Sequence, residues 1–140
     1  MKLIWKYLIP AYYTALSGHI TVNGSILPVY DGMVPANGAN SYILIGERTT
    51  TQLHAKNDFT SECYILIDVV LKGNDTGYAD SEEAADQILA IINSDANPQP
   101  SSGFKVVTTS VQSVNNMSGL SAMDNIFRTL IRFRHTVVQS

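Results

Sequence analysis

The fold is decided by the stretch Glu62–Lys72, which reads ECYILIDVVLK. Its residues alternate with a period of two, as the side chains of a β-strand do. One face carries only apolar side chains, namely Cys63, Ile65, Ile67, Val69 and Leu71. The other face is mixed and comprises Glu62, Tyr64, Leu66, Asp68, Val70 and Lys72. We therefore predict a long strand whose odd-numbered residues face the core.

A helix is predicted directly after this strand and a turn at Gly73–Tyr78. Asp80 and Glu83 have the spacing of a capping box, in which Asp80 is the N-cap. Apolar residues then recur at helical spacing, at Ala84, Ala85, Ile88, Leu89, Ile91 and Ile92. Asn93 and Ser94 are expected to end the helix. Its apolar stripe indicates that it packs on the sheet.

The part of the chain before Glu62 predicts a helix and a small hairpin. Apolar residues at three- and four-residue spacings predict a helix over Leu3–Leu16, in which Pro10 marks a kink or the first turn. Gly18 is expected to end it. Asn23-Gly24 lies between two strand-like runs and is typical of a two-residue hairpin turn. Pro28 cannot donate a backbone hydrogen bond, so the second arm is expected at a sheet edge.

Three further strands and three polar segments complete the expected organisation. The strands cover Ser41–Glu47, Phe104–Val114 and the last segment of the chain, from about Phe127. Arg48–Thr60 is predicted to be an exposed contact loop, and the segments Asn97–Gly103 and Asn115–Asp124 are predicted to be loops. The fold class is therefore α/β in the α+β sense. It has a mostly antiparallel sheet of about four strands, packed by two helices, with an additional small hairpin.

The composition indicates one domain, spanning residues 1–140, with an unusually uncharged surface. Charged residues make up 15% of the chain, against ~25% in typical globular proteins. Nine basic and twelve acidic residues give a net charge of -3, so the chain as a whole has no basic field to hold a nucleic acid. Few charges oppose association, and we therefore expect partners to cover much of the surface. No segment approaches the ~20 apolar residues of a membrane span, and Lys6 and Pro10 disfavour a secretory signal.

Residues with chemical potential are few and scattered. The three histidines, His19, His54 and His135, have no metal-binding spacing and are expected at the surface or in an interface. Cys63 is alone on an apolar strand face, which favours a buried, inert thiol. The oxygen side chains from Asp75 to Glu83 lack the ligand alternation of a calcium loop, and a turn followed by a helix cap accounts for them. We therefore expect no catalytic, cofactor-binding or metal-binding residues, and a protein that is not an enzyme.

Three of the nine basic residues lie on one face of the last strand. These are Arg128, Arg132 and Arg134, opposite a face formed by Phe127, Ile131, Phe133 and Val137. The face is either a solvated outer surface, or an interface or channel lining in which the guanidinium groups bind carboxylates or a phosphate backbone. Arg48 and Lys56, from the predicted contact loop, complete the candidate interface or lumen residues. The acids gather instead between Asp80 and Asp86, so the chain carries two opposite patches that suit contact between copies.

The order of these elements resembles the tail-terminator and tail-completion family of tailed bacteriophages. The resemblance spans nearly the whole chain. It is carried by the turn from Tyr30 through Pro35 before the strand Tyr42–Glu47, and by the strand and helix from Glu62 to Asn93. Pro28 in the hairpin and the long polar loop depart from that pattern, and these departures are compatible with a tail hub of a short-tailed phage.

The resemblance implies a structural virion subunit with no catalytic residues to carry over. It implies a tail-terminator-like domain that is made in the host cytoplasm and forms a homo-oligomeric ring, a hexamer or a dodecamer, at the neck or tail of the virion. It also implies binding to portal or connector proteins and to tail proteins, and transient contact with DNA in the lumen. No membrane partner is expected.

Two other classes of function remain open from the residues alone. The first is a small binding or assembly-chaperone domain that never enters the virion. The second is a small hydrolase, for which folding would have to bring His54 or His135 together with Asp58 or Asp68 and a nucleophile.

Overall fold

The computed structural model describes residues 3–55, 58–72, 77–92, 98–100, 103–121 and 124–139. The elements in chain order are α1 (Trp5–Leu16), β1 (Thr21–Val22), β2 (Ser25–Ile26), β3 (Val29–Asp31), β4 (Tyr42–Ala55), β5 (Asp58–Lys72), α2 (Ala79–Ile91), β6 (Phe104–Ser121) and β7 (Asp124–Gln139). β1 and β2 form a small hairpin, and the other strands form one sheet in the order β3-β4-β5-β7-β6. Only β3 and β4 are parallel. The predicted α+β class is confirmed, with β3 as an additional edge strand.

β5 lies at the centre of the sheet and is paired along both of its edges. Its partners are β4 on one side and β7 on the other. The odd-numbered residues of β5 from Cys63 to Val69 are completely buried, so the predicted core face is confirmed. α2 packs against β5 and β7 on this face, which we call the inner face. We call the opposite face, to which the even-numbered residues of β5 and β7 point, the outer face.

The described residues of the polar segment Arg48–Thr60, 48–55 and 58–60, are strand and not loop, so the prediction of a contact loop is wrong for them. β4 continues through Arg48 to Ala55, and β5 already begins at Asp58. The two strands stay in register from Arg48↔Ile65 to Ala55↔Asp58, after an irregularity between Ile45 and Arg48. Threonine-rich sequence suits a strand, but this extension is largely exposed and therefore lacks the apolar alternation of a half-buried strand.

The prediction of a loop over Asn115–Asp124 is also wrong for the described residues of that segment, 115–121 and 124, because they belong to strands. β6 runs without interruption to Ser121, and β7 begins at Asp124. The side chains of β6 from Asn115 to Gly119 are exposed, which explains their polar composition. β6 is the edge strand of the sheet and is paired on one side only, with β7.

The N-terminal predictions are confirmed in their essentials. α1 begins at Trp5, ends at Leu16 and contains Pro10, which lies on its exposed side. Asn23 and Gly24 both have positive φ, of 52° and 78°, as a type I′ hairpin turn requires. The chain after Pro28 forms the edge strand β3, and the carbonyl of Pro28 accepts a hydrogen bond of 2.9 Å from the backbone of Ile43.

The start of α2 differs from the predicted capping box. The helix begins at Ala79, so Asp80 lies inside its first turn, and the N-cap residue Tyr78 makes no side-chain cap hydrogen bond. Asp80 instead accepts a 3.0 Å hydrogen bond from Asn23, and Glu83 accepts one from Gln87. Acidic residues in a first turn still interact favourably with the helix dipole. The turn segment 73–76 and the expected helix end at Asn93 and Ser94 lie outside the described residues.

The core contains a polar cluster around His135. His135 is completely buried on the inner face, so the expectation of a surface or interface histidine is wrong for this residue, whereas His19 is exposed. Its Nε2 is hydrogen bonded to the buried Tyr12 hydroxyl, and its Nδ1 lies 2.9 Å from the hydroxyl of Thr109. A neutral imidazole has one donor and one acceptor nitrogen, and a hydroxyl serves either. Both ring nitrogens are thus satisfied without a charge, and burial lowers the pKa of His135 from 6.5 to about 4.

His135 should make the protein less stable in mild acid. Because its pKa is lower in the folded than in the unfolded chain, the unfolded chain takes up the proton first as the pH falls from about 6.5 to about 4. This group therefore contributes a loss on the order of 3 kcal/mol across that window. Urea unfolding at several pH values measures the loss. His135→Gln, which does not titrate, should lack that component; equal pH dependence of the two proteins would contradict the prediction.

Cys63 should be inert in the folded protein. Its side chain is completely buried, and burial raises the pKa of the thiol to about 11, which leaves little thiolate. Reaction with Ellman's reagent should be at least about a hundredfold slower in the native protein than in denaturant. Native labelling at the rate of the unfolded chain would show that the thiol is accessible.

Candidate functional site

The outer face of the sheet carries the three arginines of β7. The even-numbered residues of β7 lie there beside the even-numbered residues of β5, as the pairs Tyr64↔Arg134, Leu66↔Arg132 and Val70↔Arg128 show. Both helices instead contact the inner face, α1 through the Tyr12–His135 bond and α2 through a bond between Ser81 and Thr129. The predicted arginine face therefore exists and is not covered by a helix of the described chain.

Arg128 is held within the chain by a nearly buried carboxylate. Its Nε donates to Asp68 Oδ1 at 3.2 Å and its Nη2 to Asp68 Oδ2 at 2.5 Å, which is a bidentate pair. The Asp68 side chain is only 7% exposed. The hydrogen bond to Asp68 is the main cause that raises the pKa of Arg128 above its ordinary value. This arginine therefore stabilises the fold.

Arg134 also has a partner within the chain. Its Nη2 donates to Oε1 of Glu62 on β5. That hydrogen bond raises the pKa of Arg134. Because the arginine side chain is well exposed, water screens the pair, and its contribution to stability is small.

Arg132 differs from its two neighbours. Its cross-strand partners are Leu66 on β5 and Ser113 on β6, neither of which carries a charge. Between Thr60 and Lys72, β5 has two carboxylates on the outer face, Glu62 and Asp68, and both are already bound. Within the described residues no carboxylate forms an ion pair with Arg132. Arg132 is thus the arginine of β7 whose charge no described carboxylate compensates.

The other two candidate residues do not join this face. Arg48 lies opposite the buried Ile65 and therefore on the inner side, where its Nη2 donates to Asp31 at 2.6 Å. It lines an open groove of about 530 Å³ beside α1, together with Lys6. Lys56 lies outside the described residues. The five candidate residues therefore do not form a single patch.

A feature that the sequence did not predict is a groove between α2 and the edge strand β6. Its volume is about 210 Å³, and its lining includes Glu82 and Asp86 from α2 and Val114 from β6. Ala85 and Leu89 supply apolar lining, and Val114 is 46% exposed although it is paired with the core residue Ile131. The groove arises because α2 covers β5 and β7 but stops short of β6. A signal was present, since Glu82 and Asp86 are four residues apart on one helix face.

The position of α2 beside this groove is fixed by hydrogen bonds. The Ser81 hydroxyl lies 2.9 Å from that of the buried Thr129, which joins the first turn of α2 to β7. Gln87 makes two hydrogen bonds to the backbone of Thr21, of 2.9 and 2.7 Å. The groove is therefore a preformed surface.

The described part of the chain holds neither a cluster of metal-ligating side chains nor a candidate membrane span. No three His, Cys, Asp or Glu side chains there lie close enough to share a metal ion. No helix among these residues has the length and apolar character needed to cross a membrane. What remains as a candidate functional site is a pair of surfaces, the Arg132 region of the outer face and the groove beside α2.

The three arginines of β7 should differ in their effect on stability. Arg128→Met leaves the Asp68 carboxylate nearly buried and unpaired, and it should lower the free energy of unfolding by about 2 kcal/mol. Arg134→Met and Arg132→Met should change the free energy of unfolding little, because water screens the Arg134–Glu62 pair and Arg132 forms no ion pair among the described residues. Urea unfolding of the three variants tests this order, and equal losses would contradict it.

No family model matches this chain, and no curated protein matches it. Among solved structures, its fold is similar to that of a chain in "Virion of native gene transfer agent (GTA) particle". The TM-score is 0.70 at 17% sequence identity, and the match covers 97% of this chain and 99% of the other. The likeness is therefore one of fold, and it extends over essentially the full length of both chains.

Proposed function

We propose that this chain is a structural protein of a phage-like virion and that its copies form a closed ring. The observation that carries the proposal is the likeness in fold, over nearly the whole of both chains, to a chain of a gene transfer agent virion. The composition agrees with this role, since a charged fraction of 15% is low for a protein that remains monomeric in solution. The ring would surround the path of the DNA at the neck or tail.

The two edges of the sheet favour association of copies side by side. β6 presents one long edge, and its sequence from Phe104 to Ser121 contains a single charged residue, Lys105, and no proline. Charges and prolines are the usual protection of exposed edges. On the opposite side, β3 pairs only with Ile43–Ile45, so the rest of β4 has no outer strand partner in the described chain. Edges without such protection pair readily with strands of other chains, including further copies of this chain.

The long hairpins supply contacts along the axis of such a ring. β4 ends and β5 begins at one end of the sheet, whereas β6 ends and β7 begins at the opposite end. Each end can therefore meet a different neighbour. We assign portal or connector proteins to one end and tail proteins to the other. Six or twelve copies remain the proposed ring orders.

The assembly of the full chain tests the ring. Size-exclusion chromatography with light scattering, followed by negative-stain electron microscopy, should show a rotationally symmetric oligomer at micromolar concentration, or one that forms when a purified portal or tail protein is added. A protein that stays monomeric alone and in both mixtures would contradict the ring.

The virion itself tests the location. Mass spectrometry of purified particles should detect the chain at the stoichiometry of a ring. A chain that is required for particle assembly but absent from the finished particles would instead be an assembly chaperone.

A further inference from the structure

We infer that Arg132 of one copy binds in the groove between α2 and β6 of the next copy, between Glu82 and Asp86. The inference rests on the proposed ring and names the contact that joins its subunits. The occupant is a second copy of this chain, and the argument for it is complementarity of charge between two surfaces of the same molecule.

The donor side is Arg132 in its setting on the outer face. Its neighbours across the strands, Leu66 and Ser113, are uncharged, while Arg128 and Arg134 on either side are bound to Asp68 and Glu62. The neighbouring charges are thus compensated within the chain. Among the described arginines of β7, a carboxylate that approaches this face from outside therefore meets one guanidinium group without an ion pair, that of Arg132.

The acceptor side has the size and the chemistry of a site for one long basic side chain. Glu82 and Asp86 line it, and neither carboxylate forms an ion pair within the described residues. Ala85, Leu89 and the exposed Val114 provide apolar surface for the methylene groups of an arginine. A volume of about 210 Å³ is below the roughly 300 to 1,000 Å³ of sites for small-molecule ligands. Two carboxylates one helical turn apart can each accept from a guanidinium group.

The two surfaces lie on opposite faces of the sheet, and this fixes the kind of assembly. Arg132 is on the outer face, whereas α2 packs on the inner face. A two-fold dimer would have to bring both surfaces into one self-complementary interface, which opposite faces do not allow. The contact is therefore head-to-tail, and copies joined in this way form a ring when the rotation between neighbours closes.

Charge reversal on either surface tests the contact. Arg132→Glu and Glu82→Arg should each raise the concentration needed for half-assembly by at least about tenfold, because each places like charges together. Lys6→Glu, which makes the same change in net charge as Arg132→Glu but lies on α1, should leave assembly unchanged. Circular dichroism and urea unfolding should show that all three variants keep the fold, since these side chains are not buried.

A mixture of the two defective proteins gives the decisive result. In an alternating ring, Glu at position 132 of one variant meets Arg at position 82 of the other, and every second interface is wild type. Equimolar Arg132→Glu and Glu82→Arg proteins should therefore assemble together, and the double variant Arg132→Glu/Glu82→Arg should assemble alone. Light scattering and electron microscopy measure both.

The outcomes separate this contact from the ring. If the Arg132→Glu protein assembles into the same rings as the wild type and at the same concentration, the contact is overturned and the ring is kept. That result is expected if Arg132 faces the lumen. Two folded, defective variants that fail to assemble together also overturn it. A wild-type chain that forms no oligomer in any mixture removes the ring and the contact at once.

Discussion

The pairing of β5 with a strand on each side is the constraint on which the rest of the structure depends. Because both edges of β5 are bonded, each of its side chains must point to one face of the sheet or the other. The odd-numbered residues form the core beneath the two helices, and the even-numbered residues define the outer face. The side chains that β5 places on the outer face therefore determine which arginines of β7 find a carboxylate.

The helices cover only part of one face, and this leaves the molecule with unequal surfaces. α2 is fixed by hydrogen bonds to β7 and to the small hairpin, so it cannot move outward to cover β6. Val111 and Val114 of β6 point to the helix side yet remain 47% and 46% exposed. Such side chains in a long edge strand are unusual for an isolated monomer and natural where another copy lies against them.

The sequence predicted those features that depend on local periodicity. The alternation in β5, the turn at Asn23-Gly24 and the common face of the three arginines are all confirmed. The extensions of β4 and β6 were missed because neither face of them is buried, so no apolar pattern marks them as strands. His135 lies on the same face of β7 as Ile131 and Phe133, because these residues are two positions apart. This alternation could have predicted its burial. The ion pairs of Arg128 and Arg134 could not be predicted, since they depend on the register between β5 and β7, which lie more than fifty residues apart along the chain.

The register between β5 and β7 also explains how a chain with few charges still makes specific electrostatic contacts. Arg128 and Arg134 reach carboxylates two positions along β5 from their cross-strand partners, whereas the partner of Arg132, Leu66, has an uncharged residue two positions away on one side and an already bound Asp68 on the other. At the same time, Glu82 and Asp86 of α2 lie beside an apolar groove and form no ion pair with a described basic residue. The positive charge of Arg132 and the negative charges of Glu82 and Asp86 therefore lie on opposite faces of the sheet. They favour a contact between unlike faces of two copies, since an alignment of like faces would place like charges against each other.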